Sequence, residues 1–332
     1  MEEGARCMKE PEVSVIVTAY NVELYLEACV RSILRQTMPD FEMILVEDCS
    51  TDGTRAEAER LALMDERIRL VCHEQNFGVS AGRNKGLSLA RGRYIMFVDG
   101  DDWLEDTCMA SLLRVADEQR ADLVMTGYIA MEQKEDGSWQ EQRRSVYHIK
   151  EPLLSAKGRK RHCAMWAEKY FNLTVWAKLY RRSFMEKAEL TFAPDVRLIE
   201  DILFSFCVLC RAERIVWVPG GMYRYRQTEQ SITRGKNSPA RFREGLQSAI
   251  AAGRVMDAYI NSMPEVASDS ALCEKLRLTL GRLYYKYVFM DRAKGLLVSE
   301  ALLTTGEVLS EEAPAVAPFF FSMLDATWRK GH

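Results

Sequence analysis

The sequence predicts an α/β protein: a mostly parallel sheet flanked by helices, followed by a helical C-terminal extension. Three observations carry this. Apolar runs of strand length alternate with helix-period segments over residues 13–126. Most of the runs are continuously apolar, as expected of strands covered on both faces. Beyond residue 240 the apolar spacing becomes helical, with few strand signals.

The elements follow in order. Val13-Ser-Val-Ile-Val-Thr-Ala19 is a β-branched run bounded by Pro11 and Asn21 and predicts the first strand. Leu26, Val30, Ile33 and Leu34 share one face of a helix over 24–35. Phe41-Glu-Met-Ile-Leu-Val-Glu47 is the second strand. Ser50-Thr-Asp-Gly-Thr54 is a turn and helix cap, with Asp52 in a structural role. A polar helix over 55–64, a short strand over 68–72 and a helix over 79–90 come next. A strand over 94–98, a helix over 109–118 and a strand over 123–126 close the series. Residues 132–145 are polar and read as a surface excursion. Ile202-Leu-Phe-Ser-Phe-Cys-Val-Leu-Cys210 reads as a buried helix. Leu276, Leu280, Leu283 and Tyr287 recur at spacings of three and four. A domain boundary is expected near residue 235.

Composition excludes several classes. A net charge of −3 offers no general attraction to nucleic acid or anionic lipid. No apolar run approaches the ~20 residues that span a bilayer, and the charged N-terminus lacks a signal-peptide core. A cytoplasmic protein is therefore expected. Nine scattered cysteines argue against a disulfide framework. Cys207 and Cys210 lie in an apolar run with no second pair at zinc spacing, so core packing is the expected role. His73, His148, His162 and His332 form no ligand cluster.

Five segments carry chemistry. In Tyr94-Ile-Met-Phe-Val-Asp-Gly-Asp-Asp-Trp103 a strand ends in Asp99, Asp101 and Asp102. Three acids this close repel one another and resist burial, unless a hard divalent cation neutralises them. The carboxyl end of a strand is also where open α/β sheets bind ligands. Thr18-Ala-Tyr-Asn21 ends the first strand: its small residues admit a planar base and Tyr20 offers a stacking face, although taken alone the segment reads better as a plain loop with Asn21 as helix cap. After the second strand, the acids of Glu47-Asp48 can accept the imide N–H of a pyrimidine. Asn76-Phe-Gly-Val-Ser-Ala-Gly-Arg-Asn-Lys-Gly86 opens a helix and presents Arg83, whose fork matches phosphate or base oxygens. It is not the phosphate loop of nucleoside triphosphatases. About 100 residues beyond the first acids, Glu200 and Asp201 start an apolar helix, where acids serve either as caps or as a positioned base.

Taken in this order, Ser14-Val-Ile-Val-Thr-Ala-Tyr-Asn21, Val46-Glu-Asp-Cys-Ser-Thr-Asp-Gly53, Asn76-x-Gly-x-Ser-x-x-Arg-Asn84, Phe97-Val-Asp-Gly-Asp-Asp102 and Glu200-Asp201 resemble the inverting, nucleotide-sugar-dependent glycosyltransferases of family 2, which have the GT-A fold. The resemblance covers residues 11–235 and implies a nucleotide-binding half at 11–128 and an acceptor half at 129–235, with 240–332 as the helical extension. It implies that Thr18, Tyr20 and Asp48 hold the base, usually uracil, and that Asp99 and Asp101 contact the ribose and sugar. It implies that Asp102, with Asp101 beside it, holds Mn²⁺ or Mg²⁺. Asp201 would be the catalytic base and Glu200 would contact or orient the acceptor. Glu47 stands where the family most often has Asp. Trp176-Ala-Lys-Leu-Tyr-Arg-Arg-Ser-Phe184 and Tyr223-Arg-Tyr-Arg-Gln-Thr-Glu-Gln-Ser231 are similar to segments of the capsule and lipopolysaccharide branch. There Arg226 and Ser231 would reach diphosphate or sugar, the other reading of Arg224 and Arg226 being surface charge on an edge strand.

The resemblance thus implies a metal-dependent hexosyl- or N-acetylhexosaminyltransferase. It would move a sugar from a UDP-sugar to a glycan or lipid-linked acceptor in bacterial surface polysaccharide synthesis. A nucleotidyltransferase also uses a sheet and an acidic metal site, but needs a Gly-rich, basic phosphate loop that Thr18-Ala-Tyr-Asn21 lacks. An inactive, binding-only relative would have shed acids that are retained here. The aromatic groups Tyr284-Tyr-Lys-Tyr-Val-Phe289 and Phe319-Phe-Phe321 suit either packing against the catalytic domain or peripheral contact with the inner membrane face.

Overall fold

The computed structural model describes residues 10–134, 136–145, 159–167, 173–198, 200–227 and 238–284. In chain order the elements are β1 (Val13–Ala19), α1 (Leu26–Leu34), β2 (Phe41–Glu47), α2 (Thr54–Ala62), β3 (Ile68–Cys72), α3 (Val79–Leu89), β4 (Tyr94–Asp99), β5 (Trp103–Leu104), α4 (Cys108–Gln119), β6 (Leu123–Gln133), β7 (Trp139–Ser145), α5 (Arg159–Ala167), β8 (Lys178–Arg181), α6 (Arg182–Lys187), α7 (Glu200–Arg211), β9 (Ile215–Gln227), α8 (Pro239–Asn261), α9 (Pro264–Ala267) and α10 (Ser270–Tyr284). The chain divides into two compact units. Residues 1–158, 174–192 and 211–228 make the first; residues 159–173, 193–210 and 229–332 make the second.

The first unit holds the sheet, in the order β3-β2-β1-β4-β8-β6-β9-β5, with β7 on the far side of β6. The strands β3, β2, β1 and β4 are parallel, and every residue of β2 is buried. The even-numbered side chains of β1 and β2 meet α3: Ile16 lies under Gly86, and Thr18 and Val46 lie under Gly82. The odd-numbered Val13, Val15, Val17, Met43 and Leu45 are also fully buried, so the opposite face is covered too. Continuous apolar runs follow from that double cover.

Beyond β4 the sheet becomes mixed. β8 runs antiparallel to both β4 and β6, while β6 and β9 are parallel. β8 pairs with Tyr94 and Ile95 of β4 and goes no further, so the two strands part before Asp99. The strand order changes direction between β1, which has β2 and β3 on one side, and β4 on the other; their carboxyl ends are the kind of switch point where open sheets leave room for a ligand.

The polar segment 132–145 lies at the surface where it is described, and it contains the end of β6 and the strand β7. Trp139-Gln-Glu-Gln-Arg-Arg-Ser145 carries one apolar residue, so its strand character comes from pairing with β6.

The described elements of the second unit are helices. In α7, Ile202 to Cys210 are all buried; Phe206 packs edge-on against Trp166 of α5 (5.0 Å), and the Cys210 thiol lies 3.5 Å from that of Cys163. Cys207 and Cys210 are both buried in α7. Ser205 donates to the Leu173 carbonyl (2.9 Å), and Ser248 of α8 accepts from the Arg197 and Leu198 amides. Among the described residues no helix is long and apolar enough to cross a membrane. Ser231, Tyr287 and the aromatic groups at 285–289 and 319–321 lie outside the described residues.

The α3–β1 contact is close enough to test. A Cβ on Gly86 would stand 2.3 Å from Cγ2 of Ile16. Gly86→Ala is expected to lower stability by about 1–3 kcal/mol through overpacking, read as an earlier urea midpoint. Ile16→Ala in the same chain should recover part of the loss. An unchanged midpoint for Gly86→Ala would show that the helix shifts freely on the strand.

Candidate active site

The acidic turn is built by the backbone first. The Gly100 amide donates to the Thr18 carbonyl (2.9 Å), and the Asp102 amide donates to the Asp99 carbonyl (3.0 Å). A Cβ on Gly100 would sit 2.9 Å from that Thr18 oxygen, so the turn needs the missing side chain to lie against β1.

The three acids then meet different surroundings. Asp99 is partly exposed, and its Oδ1 accepts from Arg83 Nη2 at 2.9 Å. Asp101 is partly exposed; burial, then the neighbouring Asp99 charge, push its carboxyl up to about 6. Asp102 is 0% exposed. Its Oδ2 accepts from the Tyr223 hydroxyl (2.6 Å) and its Oδ1 from the Arg226 amide (2.8 Å). Burial, then Asp101 and Asp99, raise its pKa well above the ordinary carboxylate range. The Tyr223 oxygen also accepts from the Asp99 amide (3.2 Å), which couples the two ends of the turn. Burial raises the Tyr223 hydroxyl in turn.

Two arginines flank the turn. Arg83, 4% exposed, projects from α3 with its guanidinium 5.3 Å from the Phe192 ring. Asn84 fixes Phe192 through two hydrogen bonds of 2.8 Å, one in each direction. Arg226, also 4% exposed, is at the end of β9, so surface charge on an edge strand does not describe it. Arg224 on the same strand pairs with Glu105 (2.6 Å) and Glu141 (2.9 Å). A linked series therefore runs Arg83–Asp99–Tyr223–Asp102–Arg226.

The base-binding candidates are distributed unevenly. Thr18 is paired with Asp99 in the β1–β4 register and is partly exposed. Tyr20 is 39% exposed on the loop after β1. Asn21 does not cap α1, which starts at Leu26; it accepts from the Thr51 amide (2.8 Å) and ties the β1 and β2 loops together. Asp52 accepts from the Thr54 amide (3.0 Å), a turn role. Asp48 is buried and engaged three times: by His73 Nδ1 (2.7 Å), the Phe77 amide (3.0 Å) and the Gly78 amide (2.7 Å). Those contacts order the loop before α3. Its neighbour Glu47 accepts from the Ser50 amide through Oε1 (2.6 Å), while its buried Oε2 has no partner. The acid with an unused oxygen at this strand end is thus Glu47, a difference that sequence spacing does not reveal.

Glu200 and Asp201 belong to the second unit. They open α7, both partly exposed, and Asp201 Oδ1 accepts from the Ile202 amide at 2.8 Å. Negative charge is favoured at that helix start.

Among the described residues, no group of three or more His, Cys, Asp or Glu side chains forms a ready metal cage. The acidic turn supplies fewer ligands: hard carboxylate oxygens, with Asp101 and Asp102 raised by burial and then by mutual repulsion. Such a set fits a cation held by one or two carboxylates and completed by substrate phosphates.

Comparison with known proteins supplies the rest. Residues 14–188 match the profile described as glycosyl transferase family 2. The uncharacterized glycosyltransferase EpsJ of Bacillus subtilis is 36% identical over 230 residues, which are 69% of this chain and 65% of that protein. TuaG of Bacillus subtilis, named for teichuronic acid biosynthesis, is 44% identical over 125 residues, 37% of this chain and 49% of that protein. The chain thus spans less than two thirds of either relative's length. Among solved structures, S. aureus TarS 1–349 in complex with UDP-GlcNAc superposes with a TM-score of 0.68 at 21% identity, over 91% of this chain and 81% of that one. That likeness shows the fold.

Proposed function

The chain belongs to glycosyl transferase family 2, and we propose that it moves a sugar from a UDP-sugar to a hydroxyl of a glycan or lipid-linked acceptor in surface polysaccharide synthesis. The observation that carries this is the linked series Arg83–Asp99–Tyr223–Asp102–Arg226 at the switch point of the sheet. It sets buried cations and hard oxygen ligands around one turn, the needs of a diphosphate leaving group. TarS, of the same fold, was solved with UDP-GlcNAc, which favours a uridine donor here.

The roles are assigned from the surroundings. Thr18 and Tyr20 would border the base, with an acid of the Glu47–Asp48 pair accepting its imide N–H. Asp99 would contact the ribose, its carboxylate oriented by Arg83. Asp101 is the better cation ligand, because it keeps exposure while both Asp102 oxygens accept protein N–H or O–H groups. Mn²⁺ or Mg²⁺ held there would offset charge on the departing diphosphate. Asp201 would take the proton from the acceptor hydroxyl, with Glu200 orienting the acceptor. A single in-line displacement inverts the anomeric centre, so an α-linked donor yields a β-glycoside. In this reading residues 11–235 carry the chemistry and 240–332 are ancillary.

A panel of nucleotide-sugars, assayed for slow donor hydrolysis with and without MnCl₂, tests the proposal. One or more UDP-sugars are expected to release UDP, and excess chelator to remove that activity. Pyrophosphate release from a sugar phosphate and a nucleoside triphosphate, with no UDP-sugar turnover, would overturn it in favour of nucleotidyl transfer.

A further inference from the structure

The surroundings of Arg226 exceed what burial of a strand-end arginine requires. Its guanidinium carbon lies 4.6 Å from the Tyr25 ring centroid, 4.7 Å from that of Trp103 and 4.8 Å from that of Trp139. The three rings come from separate places: the residue before α1, β5 directly after Asp102, and β7 of the hairpin. Trp139 stands edge-on to both of the others at 6.3 Å, so the rings brace one another.

Aromatic rings attract a cation electrostatically but offer its N–H groups no oxygen acceptor. That is the situation here. Nε and Nη1 of Arg226 are buried without an acceptor, and its guanidinium makes no ion pair among the described residues. Asp102 does not supply one, since it holds the Arg226 backbone amide instead. Arg224, two residues earlier, engages two carboxylates with its guanidinium. Leaving buried donors unmet is costly, and guanidinium N–H groups that lack an acceptor suit an oxyanion. Asp101 and Asp102 weigh against a free anion settling there alone, which favours an anion delivered as part of a larger bound molecule.

We infer that Tyr25, Trp103 and Trp139 form a positioning cage that holds the Arg226 guanidinium for the diphosphate of the bound donor. The inference rests on the nucleotide-sugar reading above and adds three positioning residues to it. The hairpin of β6 and β7 thereby gains a function: it carries Trp139 to the site, and the Glu141–Arg224–Glu105 pairs hold it there.

The test separates phosphate recognition from folding. With the full chain and MnCl₂ present, UDP binding is followed by calorimetry and uridine binding by ligand-observed NMR. Trp139→Ala is expected to bind UDP about tenfold more weakly, a loss of ~1.4 kcal/mol, with uridine affinity unchanged. Trp139→Phe is expected to restore most of the UDP affinity. Tyr25→Leu should show the same selective loss. Equal weakening of UDP and uridine, or no weakening of either, would overturn the inference. So would loss of the thermal unfolding transition in both Trp139→Ala and Tyr25→Leu. A wild-type protein that binds neither ligand would remove the donor reading itself. Wild-type UDP binding with an indifferent Trp139→Ala would remove only the cage.

Discussion

Asp201→Asn is expected to fold, to bind UDP as the wild type does, and to lose sugar transfer by about 10²–10⁴-fold, the usual size of a general-base contribution. Asp201 opens α7, where its Oδ1 accepts from the Ile202 amide. Asparagine keeps an oxygen for that contact and is a good residue at a helix start. The buried run from Ile202 to Cys210 is therefore undisturbed. The substitution removes the capacity to take a proton and little else. Transfer rate, UDP affinity and thermal midpoint, measured together, separate the two roles of the acid. Near-normal transfer would place the base elsewhere, with Glu200 the first alternative. A lowered midpoint with weak UDP binding would show that Asp201 is a cap.

Much of the first unit was legible in the residues because its strands are covered on both sides. Val13–Ala19, Phe41–Glu47 and Tyr94–Asp99 are continuous apolar runs, and each ends abruptly in polar residues. No partner had to be known to read them. β7 and β5 were illegible for the opposite reason. β7 is polar after Trp139, and β5 is two residues long; pairing with β6 and β9 makes them strands. The same limit applied at the site. The acids were visible as a cluster, but their different surroundings were not. Asp102 is closed off by Tyr223 and Arg226, more than a hundred positions away. Asp48 is engaged by His73, Phe77 and Gly78, which leaves Glu47 as the acid with an unused oxygen. Tyr25, Trp103 and Trp139 share no spacing that would mark them as one group.

Asp101→Asn is expected to lower sugar transfer by about 10²–10³-fold, the loss of roughly 3–4 kcal/mol of charge stabilisation at the leaving group. It is also expected to abolish the rise in thermal midpoint that MnCl₂ gives the wild type at pH 7.5. The geometry gives the first reason: of the three acids, Asp101 is the partly exposed one with no side-chain hydrogen-bond partner among the described residues. Electrostatics gives the second. Burial and Asp99 push Asp101 up to about 6, so ionised Asp101 is unfavourable in the metal-free fold. An acid raised in this way favours the fold below its unfolded pKa near 4, and that contribution is lost as pH rises through about 6. In chelator, the wild-type midpoint should therefore fall between pH 4.5 and 7 more steeply than that of Asp101→Asn. Mn²⁺ should raise it by a few degrees at pH 7.5 and by less at pH 5, where the proton competes for the carboxylate. Asp102→Asn should behave differently. It sets an amide N–H₂ against the Tyr223 hydroxyl or the Arg226 amide, so its midpoint should drop with or without metal. If Asp101→Asn kept the full Mn²⁺ shift while Asp102→Asn lost it without loss of stability, the cation would belong on Asp102. Full turnover of the wild type in excess chelator would remove the cation from the reaction.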